Sequence, residues 1–195
     1  MESTNGHISH PRDISFYGLF PSVLYFQFAA NMGEIAYFSH LEMSNYRISG
    51  ANQIETLRVP LQHETKNKAA REWQISYQHK WVREHQNALK TAYGKSPFFE
   101  FYDYKIFEIF NQQISSFQLL QETLIQQLLP WLGLDELPVI TLDEEKSRHY
   151  FRSILNTYTK EYSQVFETKF GHVKHLSIID LLFNIGPESA SYFRH

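Results

Sequence analysis

Ile14-Ser15-Phe16-Tyr17-Gly18-Leu19-Phe20-Pro21-Ser22-Val23-Leu24-Tyr25-Phe26-Gln27-Phe28-Ala29-Ala30-Asn31-Met32-Gly33-Glu34-Ile35-Ala36-Tyr37-Phe38-Ser39-His40 is the stretch on which the fold reading turns. Ile14–Phe20 is a short apolar and aromatic run, which predicts a strand. Pro21-Ser22 ends it, and the Ser22 hydroxyl can cap a helix from Val23 to about Asn31. That helix is apolar nearly all round, so it should be buried. Gly33 stops it, and Glu34–His40 predicts a second strand. A strand, a crossover helix and a strand imply parallel pairing. The expected class is therefore α/β: a small, mainly parallel sheet built from this N-terminal unit plus further strands, covered by several C-terminal helices.

Outward from this unit, Leu57, Val59 and Leu61 alternate with Arg58 and Pro60, and Trp73, Ile75 and Tyr77 alternate with Gln74 and Ser76. Both patterns predict strands, and Pro60 puts the first at an end or an edge. The chain then turns helical. Helices are predicted from Lys80 to Tyr93 and from Phe98 to Asn111. Another runs from Phe117 and is stopped by Pro130 and Gly133. Ser96 and Pro97 read as the cap and first turn of the second of these. Val139–Thr141 predicts a short strand. Near the end, Ser177 stands three residues before Asp180 at the head of an apolar run, a capping-box spacing, and Gly186-Pro187 stops that helix. Trp81, Leu89, Phe98, Phe107, Leu124, Ile179 and Phe183 lie on apolar stripes and are the expected core. Residues 1–12 are expected to be a flexible tail and 13–195 a single domain.

Composition removes several function classes. The 195 residues carry a net charge of -3, which argues against nonspecific nucleic-acid binding. The absence of cysteine excludes disulfides, thiolate ligands and a Cys nucleophile. No apolar run reaches the length of a membrane span, and the polar start has no signal-like apolar region, so a cytoplasmic setting is expected. No P-loop, Gly-x-Gly-x-x-Gly, Gly-x-Ser-x-Gly or His-Glu-x-x-His occurs, and no cofactor is expected. His172 and His175 form a His-x-x-His pair without an obvious third ligand, so no metal is expected and a solvated loop is the plainer reading.

Two places remain as candidates for chemistry. His85 falls four residues after Trp81 on a predicted helix and so turns toward the apolar face. It reads either as a core imidazole bonded to a backbone carbonyl or as a general acid or base in a cleft. If it is buried it needs a partner from elsewhere in the chain, first among them the edge bearing His40, Tyr46 and Arg47. That edge lies beyond the carboxyl ends of the first two predicted strands. It would hold Ser22, His40, Tyr46, Arg47 and Asn52 around a ligand, with the helix start supplying N–H donors.

Four stretches resemble one family in the right order. Leu176–Pro187 is similar to the closing phrase of the WbqC-like family. Phe20–Phe26 is similar to its opening turn. Gly50-Ala51-Asn52 followed by Leu57–Leu61 resembles its Gly-Ala-Asn stretch before a strand ending in Val-Pro. Trp81 to His85, then Ala92–Glu100, resembles its Trp…His…Tyr-x-x-Ser-Pro-Phe-Phe. The resemblance implies a link to bacterial surface-polysaccharide (O-antigen) biosynthesis. It implies a tailoring transferase, of acyl or aminoacyl type, acting on an activated amino sugar, hence an anionic small-molecule partner such as a nucleotide sugar. The alternative is a non-catalytic member acting as a binding or interaction protein. Two departures bear on that choice. Gly18-Leu19 stand where many members have Gln-Pro. Met43–Ile48, read as a shortened loop, keeps one arginine where an Arg-Asn-Arg run is common.

Overall fold

In a computed structural model of the chain, the helix after Pro21-Ser22 forms as expected: α1 spans Val23–Met32, and the Ser22 Oγ accepts from the Tyr25 N–H at 3.2 Å. The structure describes residues 18–32, 35–36, 44–65, 68, 70–135, 139–140 and 160–193. The expected tail, the strand region before Gly18, most of the predicted strand around Glu34–His40 and most of Asp143–Lys160 lie outside them.

The mainly parallel sheet is not what forms. Gly18–Phe20 is bent backbone rather than strand. Leu19 and Phe20 are fully buried, but among side chains: Phe20 packs edge-on against Tyr46 at 4.9 Å, and the Gly18 carbonyl accepts from the Gln121 side chain at 2.6 Å. A short apolar run reports burial, and burial does not distinguish a strand from an irregular buried segment. Among the described residues the second segment contributes the two-residue strand β1, Ile35–Ala36. Among the described residues it pairs in parallel with β4, Val139–Ile140, and not with Gly18–Phe20 before α1.

The longer sheet is an antiparallel hairpin. β2 (Asn45–Ser49) pairs with β3 (Ile54–Arg58) from Asn45↔Arg58 to Ser49↔Ile54. β2 covers most of the segment read as a loop, and it places Arg47 in a strand. The alternation of Tyr46 and Ile48 with Asn45, Arg47 and Ser49 is the period-two signal that marks it. The chain beyond β3 continues as single bridges. Of the first stretch expected as a strand, Leu57 and Arg58 lie in β3; beyond them Leu61 pairs with Ile75 and Gln74 with Ser116, so the rest of that stretch and the second stretch make single antiparallel bridges.

The remaining described elements are helical: α2 (Trp81–Tyr93), α3 (Phe99–Asn111), α4 (Phe117–Trp131), α5 (Glu167–Phe170), α6 (Ile178–Ile185) and α7 (Ser189–Tyr192). On α2, Trp81, His85, Leu89, Ala92 and Tyr93 are buried, one stripe at helical spacing. Ser116 caps α4 by accepting from the Leu119 N–H. α4 runs past Pro130 to Trp131 before Gly133 takes a positive φ, so the proline sits inside the last turn. α3 starts after the expected Ser96-Pro97 cap: Phe98 is its N-cap, and the Ser96 carbonyl accepts from the Phe99 N–H.

α6 is the buried axis of the described core, with Ile178 through Asn184 all buried. Trp81, Leu89, Phe107, Leu124, Ile179 and Phe183 are core residues as expected. Phe98 is only partly buried, because it stands at the helix start over Gly186. Gly186 ends α6 at φ +53, with the Phe98 ring where a Cβ would be.

Candidate functional site

Strand β2 divides the expected site residues between two faces. Tyr46 and Ile48 point into the core and are fully buried. The Tyr46 hydroxyl lies 3.1 Å from His85 Nδ1, so the partner of the inward-turned imidazole does come from this edge. Burial drives the His85 pKa down to about 4, opposed by a hydrogen bond to the Arg58 backbone. A carbonyl can only accept, so the ring proton faces Arg58 and the Tyr46 hydroxyl donates to Nδ1. The rings of Trp81 and Phe110 stand edge-on at 5.0 and 6.4 Å. His85 is 4% exposed and lines neither cavity described below. This is the core-imidazole arrangement, a neutral ring tying α2 to the back of β3.

Arg47 and Ser22 meet on another path. The starts of α1 and α6 lie side by side, Ser22 bridging Ser177. Val23 N–H donates to the Leu176 carbonyl at 2.9 Å and Ile178 N–H to the Pro21 carbonyl at 2.8 Å. Ser177 N–H donates to the Arg47 carbonyl at 3.0 Å, which docks β2 against both helix starts. Beside this junction is a small depression of about 20 Å³. Val23, Leu24, Gln27, Tyr162, Tyr192, Lys160, Lys174, His172 and His175 are among its lining. His172 and His175 are half-buried rather than solvated. Burial, then the charges of Arg47 and Lys174, bring the His175 pKa down to about 4. Asn52 stands apart in the exposed hairpin turn, where Lys169 Nζ reaches the Ala51 carbonyl at 2.7 Å and the Asn52 side chain at 3.4 Å. His40 lies outside the described residues. Ser22, Tyr46, Arg47 and Asn52 therefore do not converge on one pocket.

The large cavity is elsewhere. A cleft of about 1050 Å³ opens between the end of β3 and the 73–79 stretch. Its walls include Arg58, Leu61, His63, Trp73, Tyr77 and His79. Both aromatic rings are anchored: Trp73 Nε1 donates to the Lys68 carbonyl at 3.1 Å, and the Tyr77 hydroxyl to the Ile114 carbonyl at 2.8 Å. Val59 and Ile75 turn inward and are buried. Period-two alternation does not separate wall from core here, because Trp73, Ile75 and Tyr77 share one phase and yet Ile75 is core while the two rings are wall, so no local signal in the sequence marks this cleft.

A third feature, the environment of Asp180, runs against expectation. Its carboxylate is not the reciprocal partner of Ser177. The Tyr93 hydroxyl donates to one oxygen at 2.7 Å and the Tyr162 hydroxyl to the other at 2.6 Å. Tyr93 in turn accepts from the Ser49 N–H at 3.0 Å. Ser177 supplies only its carbonyl, to the Asp180 N–H. Burial pushes the Asp180 pKa up to about 6 despite the bonds from Tyr162 and Tyr93. This network ties α2, β2, α6 and the 160–166 stretch together. Capping spacing alone could not reveal it, because both tyrosines are distant in sequence. Among the described residues there is no cluster of His, Asp and Glu suited to a metal ion, and no helix long and apolar enough to cross a membrane.

A model of the WbqC-like protein family matches residues 18–154. The chain belongs to the WbqC-like protein family. The match takes in β2, β3, the cleft, His85 and the helices α1 to α4; the Leu176–Pro187 stretch lies beyond it. Comparison with curated proteins and with solved structures finds no match.

Proposed function

We propose that this WbqC-like protein binds an activated amino sugar in the Arg58–Trp73–Tyr77 cleft, as a tailoring transferase of surface-polysaccharide biosynthesis. The observation that carries this is the cleft itself, about 1050 Å³ within the stretch matched to the family. That volume suits a nucleotide sugar, whereas the depression beside Arg47 has room for one water-sized group. Anchored aromatic rings give sugar or base faces something to stack on. Arg58, exposed at the end of β3, offers a planar fork for a phosphate. His85 supports this cleft from behind: it holds the Arg58 backbone and does not touch the ligand. The reaction belongs in the cytoplasm on this reading, which the lack of cysteine suits.

A binding member without chemistry is the second reading, and the burial of His85 away from both cavities favours it. Thermal unfolding with nucleotide sugars, and separately with acyl and aminoacyl donors, tests both. A true ligand at 100 times its Kd adds about 2.7 kcal/mol of stability. Stabilisation by a sugar nucleotide that Arg58→Ala removes supports the cleft. Stabilisation by the sugar nucleotide without turnover of any donor supports the second reading. No response to any nucleotide sugar refutes the proposal.

A further inference from the structure

The small depression beside the α1 and α6 starts has no part in the cleft, yet its chemistry is one-sided. Lys160, Lys174, His172 and His175 line it, and among the described residues no Asp or Glu does, in a chain whose net charge is -3. The Asp180 carboxylate stands behind Tyr162, bonded to two tyrosine hydroxyls, and is not part of the lining.

Three observations separate this from an ordinary basic surface. His172 Nδ1 is buried and has no hydrogen-bond partner among the described residues, although a buried polar nitrogen without one is destabilising. His175 holds φ +64, a conformation that non-glycine residues adopt at a cost and that clusters at ligand sites. Lys160 is a positioned cation, since its Nζ donates to the Tyr192 carbonyl at 3.2 Å and lies 5.0 Å from the Tyr192 ring centre. The Tyr192 hydroxyl, which accepts from Gln27 at 2.8 Å, donates to the Lys160 carbonyl.

We propose that the Lys160–His172–Lys174–His175 depression is a binding site for a phosphate-type oxyanion. The space of about 20 Å³ seats one oxygen beside the His172 ring, which turns its sealed nitrogen to that oxygen on binding, and the remaining oxygens face solvent, where exposed Lys174 can reach them. The positive ends of two helices, α1 and α6, add to the same potential. Free phosphate and the terminal phosphate of a monoester share this chemistry.

The test is calorimetric titration of the full chain with inorganic phosphate, glucose 1-phosphate and acetate, at an ionic strength held constant with sodium chloride. The variants are Lys174→Ala, which is exposed, and His172→Phe, which keeps a ring against Tyr162, 5.4 Å away in the native pair. Lys105→Ala removes a lysine of α3 as a charge control. Phosphate should bind one per chain, weakened about tenfold or more by each of the first two variants and unchanged by the third. Without phosphate, His172→Phe should unfold no earlier than the native chain, because it removes an unpaired buried nitrogen. Tighter binding of glucose 1-phosphate than of phosphate supports the site and names an ester as its ligand; weaker binding supports it and names free phosphate. Absence of saturable phosphate binding, native affinity in either Lys174→Ala or His172→Phe, or acetate binding as tight as phosphate overturns the proposal. Arg58→Ala in the same titration separates the two sites: phosphate affinity that this variant leaves unchanged belongs to the depression, and affinity that it removes belongs to the cleft and overturns the proposal.

Discussion

Replacing Asp180 by Asn should leave the protein more stable than the native chain at neutral pH, and the advantage should vanish in acid. Asp180 is 0% exposed, and burial raises its pKa from the ordinary 3.8 to about 6. A raised carboxylate pKa means that the folded state holds its proton more tightly than the unfolded chain does. The stability contributed is fully present below pH 3.8 and is lost as pH rises through about 6. Roughly two pH units at 1.36 kcal/mol each make the loss about 3 kcal/mol by pH 7. Asn keeps one acceptor for a tyrosine hydroxyl and turns a donor to the other, as the protonated acid would, and carries no charge. His85 and His175, both with pKa values lowered to about 4, titrate with the opposite slope, stability rising with pH between about 4 and 6.5. The difference between variant and native chain cancels their contribution. Urea unfolding at intervals from pH 4 to 8 should therefore show that difference moving toward the variant by about 3 kcal/mol. A difference that stays flat, or moves toward the native chain as pH rises, would refute the argument, because the two tyrosine bonds would then outweigh the cost of burying the charge.

Three further outcomes are expected. Tyr46→Phe leaves His85 Nδ1 buried without its donor, and should cost about 1–3 kcal/mol in urea unfolding with the far-UV spectrum unchanged; no loss would mean that the imidazole is satisfied elsewhere. Phe107→Ala on the buried side of α3 should cost about 3–5 kcal/mol, whereas Phe101→Ala, at 67% exposed, should stay within about 0.5 kcal/mol. Equal losses would place both faces of α3 in the core. Gly186→Ala sets a Cβ about 2.4 Å from the Phe98 ring at a positive φ, so its thermal midpoint should fall by several degrees; an unchanged midpoint would show that this turn relaxes freely.

The helical half of the fold was legible because 3.6-residue periodicity is written locally. Trp81, His85 and Leu89 on α2 declare their inward face before any tertiary contact is known. Ser22 and Gly186 mark helix ends for similarly local reasons. The burial of His85 follows from its place on that stripe, and so does its need for a distant partner. The sheet was not legible in the same way. Gly18–Phe20 and Asn45–Ser49 both carry apolar residues, but only the pairing partner decides which becomes strand, and the partner of the second, Ile54–Arg58, is set by the hairpin register. The candidate sites depend still more on tertiary placement. Asp180 carries the local signature of a cap, yet Tyr93 and Tyr162, 87 and 18 residues away, take both of its oxygens. By itself the sequence determined which residues are apolar, how they repeat, where helices begin and end, and the family to which the chain belongs. Only the tertiary structure decided that Arg47 and Tyr46, neighbours in the chain, serve opposite faces. Adjacent residues in a strand point to opposite sides, and which side becomes core, cleft or basic depression depends on what packs there.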